Sequence, residues 1–373
     1  MMRWKKVERP VMNRILFPPG TFAQLFLSAA RSTNDCVGQI LSLPCCFSWL
    51  YFLYKREKRM DFYGKLNDIM TFDAGGRGMK VPAPDLSAVA DTLLNAQRVL
   101  VLTGFPVVDA DGNVHGETDG PLGAAEIACT LAQLGCRVWL AADAVEFPIL
   151  LAAAEVFLGA AGITLCHRDG IDDGADIPAG HVAIVKVPFL NTERFAERFL
   201  SVHPITHLLP LERPGRGACG HYCSMRGRSL DAMVADTDCF MALFEGVSVA
   251  VGDGGNELGM GKYREEIIRR VPHGEDIAAV LGAEHVLTAG VSNWWGPGLA
   301  ALLSYKTGKP LLAEAETEEK ALAAVLAAGG IDGCTAKKEM TVDSLPLSFH
   351  LGRRKLVREL LDEAMADDRR AHP

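Results

Sequence analysis

The chain has 373 residues, 49% of them apolar, a formal net charge of −8 and 10 cysteines. That much apolar material can bury a large core, so the chain reads as globular, in one large α/β domain or two smaller ones. Lysine and arginine are spread along an acidic chain without a basic stripe, which argues against nucleic-acid binding and leaves a small molecule as the expected partner.

The cysteines follow no framework spacing and Cys45-Cys46 are adjacent, so they read as reduced thiols of a cytoplasmic protein. From Cys36 to Tyr54 no side chain is charged, and Lys55-Arg56-Glu57-Lys58-Arg59 follows. Gln39, Ser42, Pro44 and Ser48 dilute the apolar run, so residues 1–60 read as a helical amino-terminal extension that packs on the body or on a partner. A membrane-surface anchor through residues 36–59 is the rival reading. Residues 61–373 form the α/β domain, for which a homo-oligomer is one expected state.

From about Asp85 helical and strand-like runs alternate. Ala88 to Gln97 reads as helix, Arg98 to Thr103 as a buried strand, Leu122 to Leu134 as helix, Arg137 to Ala141 as strand, Glu146 to Leu158 as helix and Gly162 to Cys166 as strand. A loop rich in Asp and Gly follows, then strands His181 to Val187 and Thr206 to Leu211 around the helix Thr192 to Ser201. Asp236 to Phe244 is a helix, Val247 to Val251 a buried strand, and a further helical pattern begins at about Gly261. Glu284 to Val291 reads as strand, with helices at Pro297 to Tyr305 and Glu318 to Ala328. The rhythm predicts a doubly wound, mostly parallel, Rossmann-like sheet with helices on both faces.

In such a sheet the ligand sits beyond the carboxyl ends of the strands. Three strand-exit loops combine acids with glycines: Gly104 to Pro121, Glu212 to Gly227 and Gly252 to Gly261. Asp119 stands before a helix and is a natural cap for it, whereas Glu117 has no such structural role. Arg213 and Arg216 beside Glu212 can clamp a carboxylate or form surface salt bridges. Gly254 and Gly255 let the backbone approach a ligand, with Asp253, Asn256 and Glu257 offering oxygens and acid/base groups. Gly215-x-Gly217-x-x-Gly220 matches a dinucleotide fingerprint only formally, because no helix pattern opens at Gly220. Walker A, GxSxG and HExxH patterns are absent. Neither NAD nor PLP is expected.

With these loops in hand the chain resembles the D-glutamate cyclase family, in its carboxyl-terminal domain. The resemblance rests on Leu102-Thr103-Gly104-Phe105-Pro106, Glu117-Thr118-Asp119-Gly120-Pro121, Glu212-Arg213-Pro214-Gly215-Arg216 and Gly252-Asp253-Gly254-Gly255-Asn256-Glu257-Leu258-Gly259-Met260-Gly261. It begins near Gly76-Arg77-Gly78-Met79, extends through Asp332-Gly333 and Thr341-Val342-Asp343, and covers about residues 65 to 360. The family pattern has an acid and an amide where this chain carries Cys219 and Ser224.

The resemblance implies a lyase that cyclises D-glutamate to 5-oxo-D-proline with loss of water, with a divalent metal (Mg, Mn or Ca) at the acidic loops. That reaction needs a base for the amine, an electrophile for the γ-carboxylate and an acid for the departing oxygen. Asp119, Asp253 and Glu257 are the expected acid/base groups or metal ligands, with Glu117 and Glu212 behind them. Arg213 or Arg216 would hold the α-carboxylate, and Thr118, Gly254, Gly255 and Asn256 would line the substrate. Two other classes would use the same loops: a metal-dependent phosphatase or other hydrolase, and a non-catalytic sensor of an acidic metabolite.

Overall fold

The computed structural model describes residues 62–371, which belong to one compact unit. The extension read over residues 1–60, with its 36–59 run, lies outside the described residues. Among those described, no helix is long and apolar enough to cross a membrane.

In chain order, helices over 62–70 (α1) and Leu86–Leu94 (α2) precede β1 (Arg98–Thr103). A short hairpin, β2 (Pro106–Val108) and β3 (Val114–Gly116), leads into α3 (Pro121–Gln133). Then come β4 (Arg137–Asp143), α4 (Phe147–Ala161), β5 (Leu165–Cys166), β6 (Val182–Val187), α5 (Thr192–Val202), β7 (His207–Leu211), α6 (Asp238–Leu243) and β8 (Val247–Gly252). The last third holds α7 (Arg264–Arg270), α8 (Gly274–Ile277), β9 (His285–Thr288), α9 (Trp295–Thr307), α10 (Ala315–Ala327), the hairpin β10 (Thr341–Val342) and β11 (Leu345–Pro346), and α11 (Leu347–Ala371).

Seven strands form one sheet in the order β5-β6-β4-β1-β7-β8-β9, and every pairing in it is parallel. Both faces are covered, which is why the strands read as continuous apolar runs. Along β1, Val99 and Val101 enter a core built with α3, α4, α9 and α10. Leu100 and Leu102 enter the opposite core with Phe199 of α5 and Phe240 of α6. The winding runs from β1 outward through β4, then reverses to β7 on the other side of β1. The switch point therefore falls between β1 and β7, at the pair Thr103 and Leu211.

Two strand expectations shorten. The run Gly162 to Cys166 is strand only at Leu165–Cys166, on the sheet edge, and the run Glu284 to Val291 stops at Thr288. Beyond Thr288 the backbone turns away: Ala289 N donates to Gly252 O at 3.0 Å and Gly290 N to Met70 O at 2.8 Å. That turn aims Ser292 and Asn293 back at the sheet's carboxyl edge. Likewise, the helical pattern after Gly261 opens with a single 3-10 turn, Gly261–Tyr263, before α7.

One buried ion group ties three helices together. Arg354 of α11 grips Glu126 of α3 through two bonds, Nη1 to Oε1 at 2.8 Å and Nη2 to Oε2 at 2.6 Å. Its Nε donates to Glu318 Oε2 on α10 at 2.5 Å. Both glutamates lie in the buried interior.

Candidate functional site

Strand ends supply the centre. Thr103 closes β1, Glu212 is the first residue past β7, and Asp253 the first past β8, on three neighbouring strands. Asp119 joins them from the loop before α3. One carboxylate oxygen from each of Asp119, Glu212 and Asp253 lies within 4.8 Å of the other two, and all three residues are buried. Asp253 Oδ2 has no hydrogen-bond partner.

Backbone amides hold Asp119, and a hydroxyl holds Glu212. Asp119 does not cap α3; it accepts from Gly120 N at 3.0 Å, Ser292 N at 2.9 Å and Asn293 N at 2.8 Å. The cap is Asn293, whose Oδ1 accepts from Gly120 N at 2.9 Å and Gly123 N at 2.8 Å. Glu212 sits in the left-handed region at φ 44°, a conformation that costs about 1–3 kcal/mol for such a residue. It turns the chain sharply off β7 so that its carboxylate faces inward, where Ser292 Oγ donates to Oε2 at 2.5 Å.

Glu117 stands beside the cluster. Its backbone pairs with Ile331, and a Cβ on Gly333 would sit 1.9 Å from Glu117 Oε2. Only glycine leaves room there for the carboxyl group. Burial first, then the charges of Asp343, Asp119, Glu146 and Asp253, push the Glu117 carboxyl well above the usual range.

The same forces act on the three clustered acids. Burial, then Asp343, raises Asp119 to about 7 against the pull of its backbone donors and Arg77. Glu212 and Asp253 are also raised well above the ordinary range, burial again leading. Folding therefore binds protons, and the associated stability is present below the ordinary carboxyl range and lost as pH rises. For Asp119 the window runs from 3.8 to about 7, worth on the order of a few kcal/mol. In chelator the urea midpoint is expected to fall across that window, and an Asp119→Asn variant is expected to show a flatter fall; equal slopes would refute the assignment.

Several residues expected in the site are spent elsewhere. Glu257 stands outside the three-oxygen group: Oε1 accepts from Asp253 N at 2.9 Å and Gly254 N at 2.6 Å, and Oε2 from Gly255 N at 2.6 Å. It is the clasp of the glycine turn, and it also uses up the amides of Gly254 and Gly255. Asn256 donates to Cys223 O at 2.8 Å, and Thr118 Oγ1 donates to Thr341 O at 3.0 Å.

Neither expected arginine faces the acids. Arg213 is fully buried, paired with Asp143 at 2.9 Å and donating to Thr237 Oγ1, Gly104 O and Ala235 O. Arg216 pairs with Asp236 at 3.0 Å, donates to Gly220 O and stacks on Tyr222. It lines a separate cavity of about 360 Å³ with Glu193, Asp238 and Cys239. Cys219 is exposed, its thiol against the carbonyls of His221 and Asp276.

The cation at the cluster is instead Arg77. Its Nη1 meets Asp253 Oδ1, and its Nη2 bonds Asp343 Oδ2 at 2.8 Å. Burial works to lower the guanidinium, but Asp253, Asp343, Glu212 and Asp119 outweigh it and hold it above its ordinary value. Asp343 and Ser344, at φ 54° and 64°, form the two-residue turn of the β10–β11 hairpin that presents this acid. Arg77, Asp343, Ser292 and Asn293 were not legible as site residues from acid-and-glycine loops alone. The glycines flanking Arg77 and the position of Ser292-Asn293 just past a strand were their faint signals.

A family model described as D-glutamate cyclase-like, C-terminal, matches residues 66–361. The chain belongs to the D-glutamate cyclase-like family. The match takes in Arg77, Glu117, Asp119, Glu212, Asp253 and Asp343. The human protein "D-glutamate cyclase, mitochondrial" is 32% identical over 258 residues, which is 64% of this chain and 38% of that protein. The chain thus aligns with well under half of that relative's length.

The acidic cluster fits a hard cation. Its donors are all carboxylate oxygens, the set preferred by magnesium, manganese and calcium. One of them, Asp253 Oδ2, is buried without a partner. A cation on Asp119, Glu212 and Asp253 would answer both the orphaned oxygen and the excess negative charge.

Proposed function

We propose that this chain cyclises D-glutamate to 5-oxo-D-proline and water, with residues 61–373 as the working unit. The observation that carries the reading is a buried carboxyl cluster edged by one guanidinium, at the switch point of a sheet in a D-glutamate cyclase-like chain. The α-ammonium must lose two protons as nitrogen bonds the γ-carbon, and the departing carboxylate oxygen must gain two to leave as water. A carboxyl group that both takes and gives near neutral pH meets that need.

Glu117 is suited to this shuttle, because its raised affinity for protons comes from the site and it lies beside, not within, the three-oxygen cluster. Asp119 belongs to that cluster and is left to the cation, so the shuttle falls to Glu117. Arg77 is suited to the substrate's carboxylate, the part that five nearby acids would otherwise repel. A divalent ion on Asp119, Glu212 and Asp253 would neutralise the γ-carboxylate and make its carbon electrophilic. A diacid held folded between Arg77 and the cluster, with nitrogen near the γ-carbon, would gain the entropic part of the rate.

The test is direct. Purified chain, incubated with D- or L-glutamate and manganese or chelator, is assayed for 5-oxoproline on a chiral column. Formation from D-glutamate above the uncatalysed rate is the expected result, and its absence under every metal condition would refute the reading.

A further inference from the structure

Asp253 has one cation and a place for another: Arg77 holds Oδ1, while Oδ2 is without a hydrogen-bond partner. One of its oxygens meets Arg77 Nη1, and its carboxylate also completes the three-oxygen cluster with Asp119 and Glu212. A guanidinium and a divalent ion sharing one buried carboxylate repel each other, so each weakens the other's hold there. The second observation is how Arg77 is carried. It rides on a stretch outside regular secondary structure, where Asp73 Oδ1 accepts from Arg77 N at 2.9 Å and Asp73 Oδ2 from Gly78 N at 3.0 Å. Its side chain keeps 19% exposure while Asp253 keeps 3%, so the arginine reaches the acids from the solvent side.

We propose that Arg77 is the residue that binds the substrate's carboxylate, and that it serves Asp253 as resident counter-charge until a divalent ion takes its place there. The inference rests on the cyclase reading for the identity of the diacid. Asp343 keeps its 2.8 Å bond to Nη2 and acts as the pivot, while Nη1 passes from Asp253 to the incoming carboxylate. The exchange explains how a pocket with five acids accepts an acid: the ion supplies the charge that Arg77 withdraws. It also makes ion and diacid cooperative, because each favours the arrangement in which Nη1 has left Asp253.

The experiment titrates manganese into the full chain by calorimetry, alone and with glutarate, a diacid that has no amine and cannot cyclise. In the wild type, glutarate is expected to tighten manganese binding about tenfold. Arg77→Met is expected to bind manganese about tenfold more tightly than wild type without glutarate, and to lose the coupling to within about twofold. Asp73→Ala, an exposed change that loosens the presenting turn, moves both quantities the same way by less and serves if the methionine variant fails to fold. Equal manganese affinity and unchanged coupling in the variants, or no manganese binding by the wild type, would overturn the proposal. A wild type that shows Arg77-dependent coupling but makes no 5-oxoproline from D-glutamate refutes the reaction and supports the Arg77 assignment. Undiminished cyclisation with methionine at 77 keeps the reaction and overturns the assignment.

Discussion

Asparagine at position 253 is expected to lower 5-oxoproline formation from D-glutamate by about a thousandfold, with the chain still folded. The substitution keeps the size of Asp253 but removes the charge that Arg77 and the acidic cluster share. It also replaces one of the two acceptor oxygens with an N–H donor, so with the remaining oxygen on Arg77 an amide stands where the cluster had an oxygen. The turn itself survives, because Glu257 and not Asp253 holds the amides of residues 253–255. The comparison is kcat and KM of Asp253→Asn against wild type, with circular dichroism as the control for folding. A loss below about tenfold would remove Asp253 from the reacting centre.

The largest effect on stability is expected far from the pocket. Alanine at Arg354 leaves Glu126 and Glu318 facing each other in the interior without their cation, a change that costs about 3–5 kcal/mol in comparable buried pairs. Burial alone would lower the guanidinium, but the two glutamates hold it well above its ordinary value, so it stays charged. Loss of the side chain also frees α11 from α3 and α10, which it joins by bonds at 2.8, 2.6 and 2.5 Å. Urea denaturation of Arg354→Ala is the measurement, and a midpoint within experimental scatter of wild type would show that the triad is dispensable. Adding Glu126→Gln is expected to restore part of the loss, since it removes one stranded charge.

Much of the fold was written in residue periodicity. The runs Arg98 to Thr103, Arg137 to Ala141 and Val247 to Val251 have apolar interiors because both of their faces are covered, and their alternation with helical runs marks a parallel sheet. The loops carrying Glu117, Asp119, Glu212 and Asp253 were legible for a related reason, since acids with glycine at strand exits are poorly explained by packing. Roles within the loops were not. Glu257 and Asp253 are near neighbours in the same turn, yet one side chain bends back onto its own backbone and the other points into the pocket. Composition and spacing are identical for either arrangement. The arginines misled for a similar reason: Arg213 and Glu212 are adjacent, so once the strand ends, one faces the cluster and the other is driven to Asp143 on the far side of β1. Arg77 came from a stretch with no periodicity at all, and only tertiary structure brings it within reach.

The bond between Arg77 and Asp343 joins positions 266 residues apart, and that separation bears on how the pocket comes into being. As the chain leaves the ribosome, Arg77 and then Asp119, Glu212 and Asp253 are already available, and the seven strands are complete by Thr288. The pivot acid arrives only with the β10–β11 turn, which is itself buttressed by Asp332 accepting from Ser344 N at 2.7 Å. Without that turn Arg77 would keep Asp253 but lose its second anchor, Asp343. The short β10–β11 hairpin thus acts as the seal on a site whose other acids come from the strand ends and from the loop before α3.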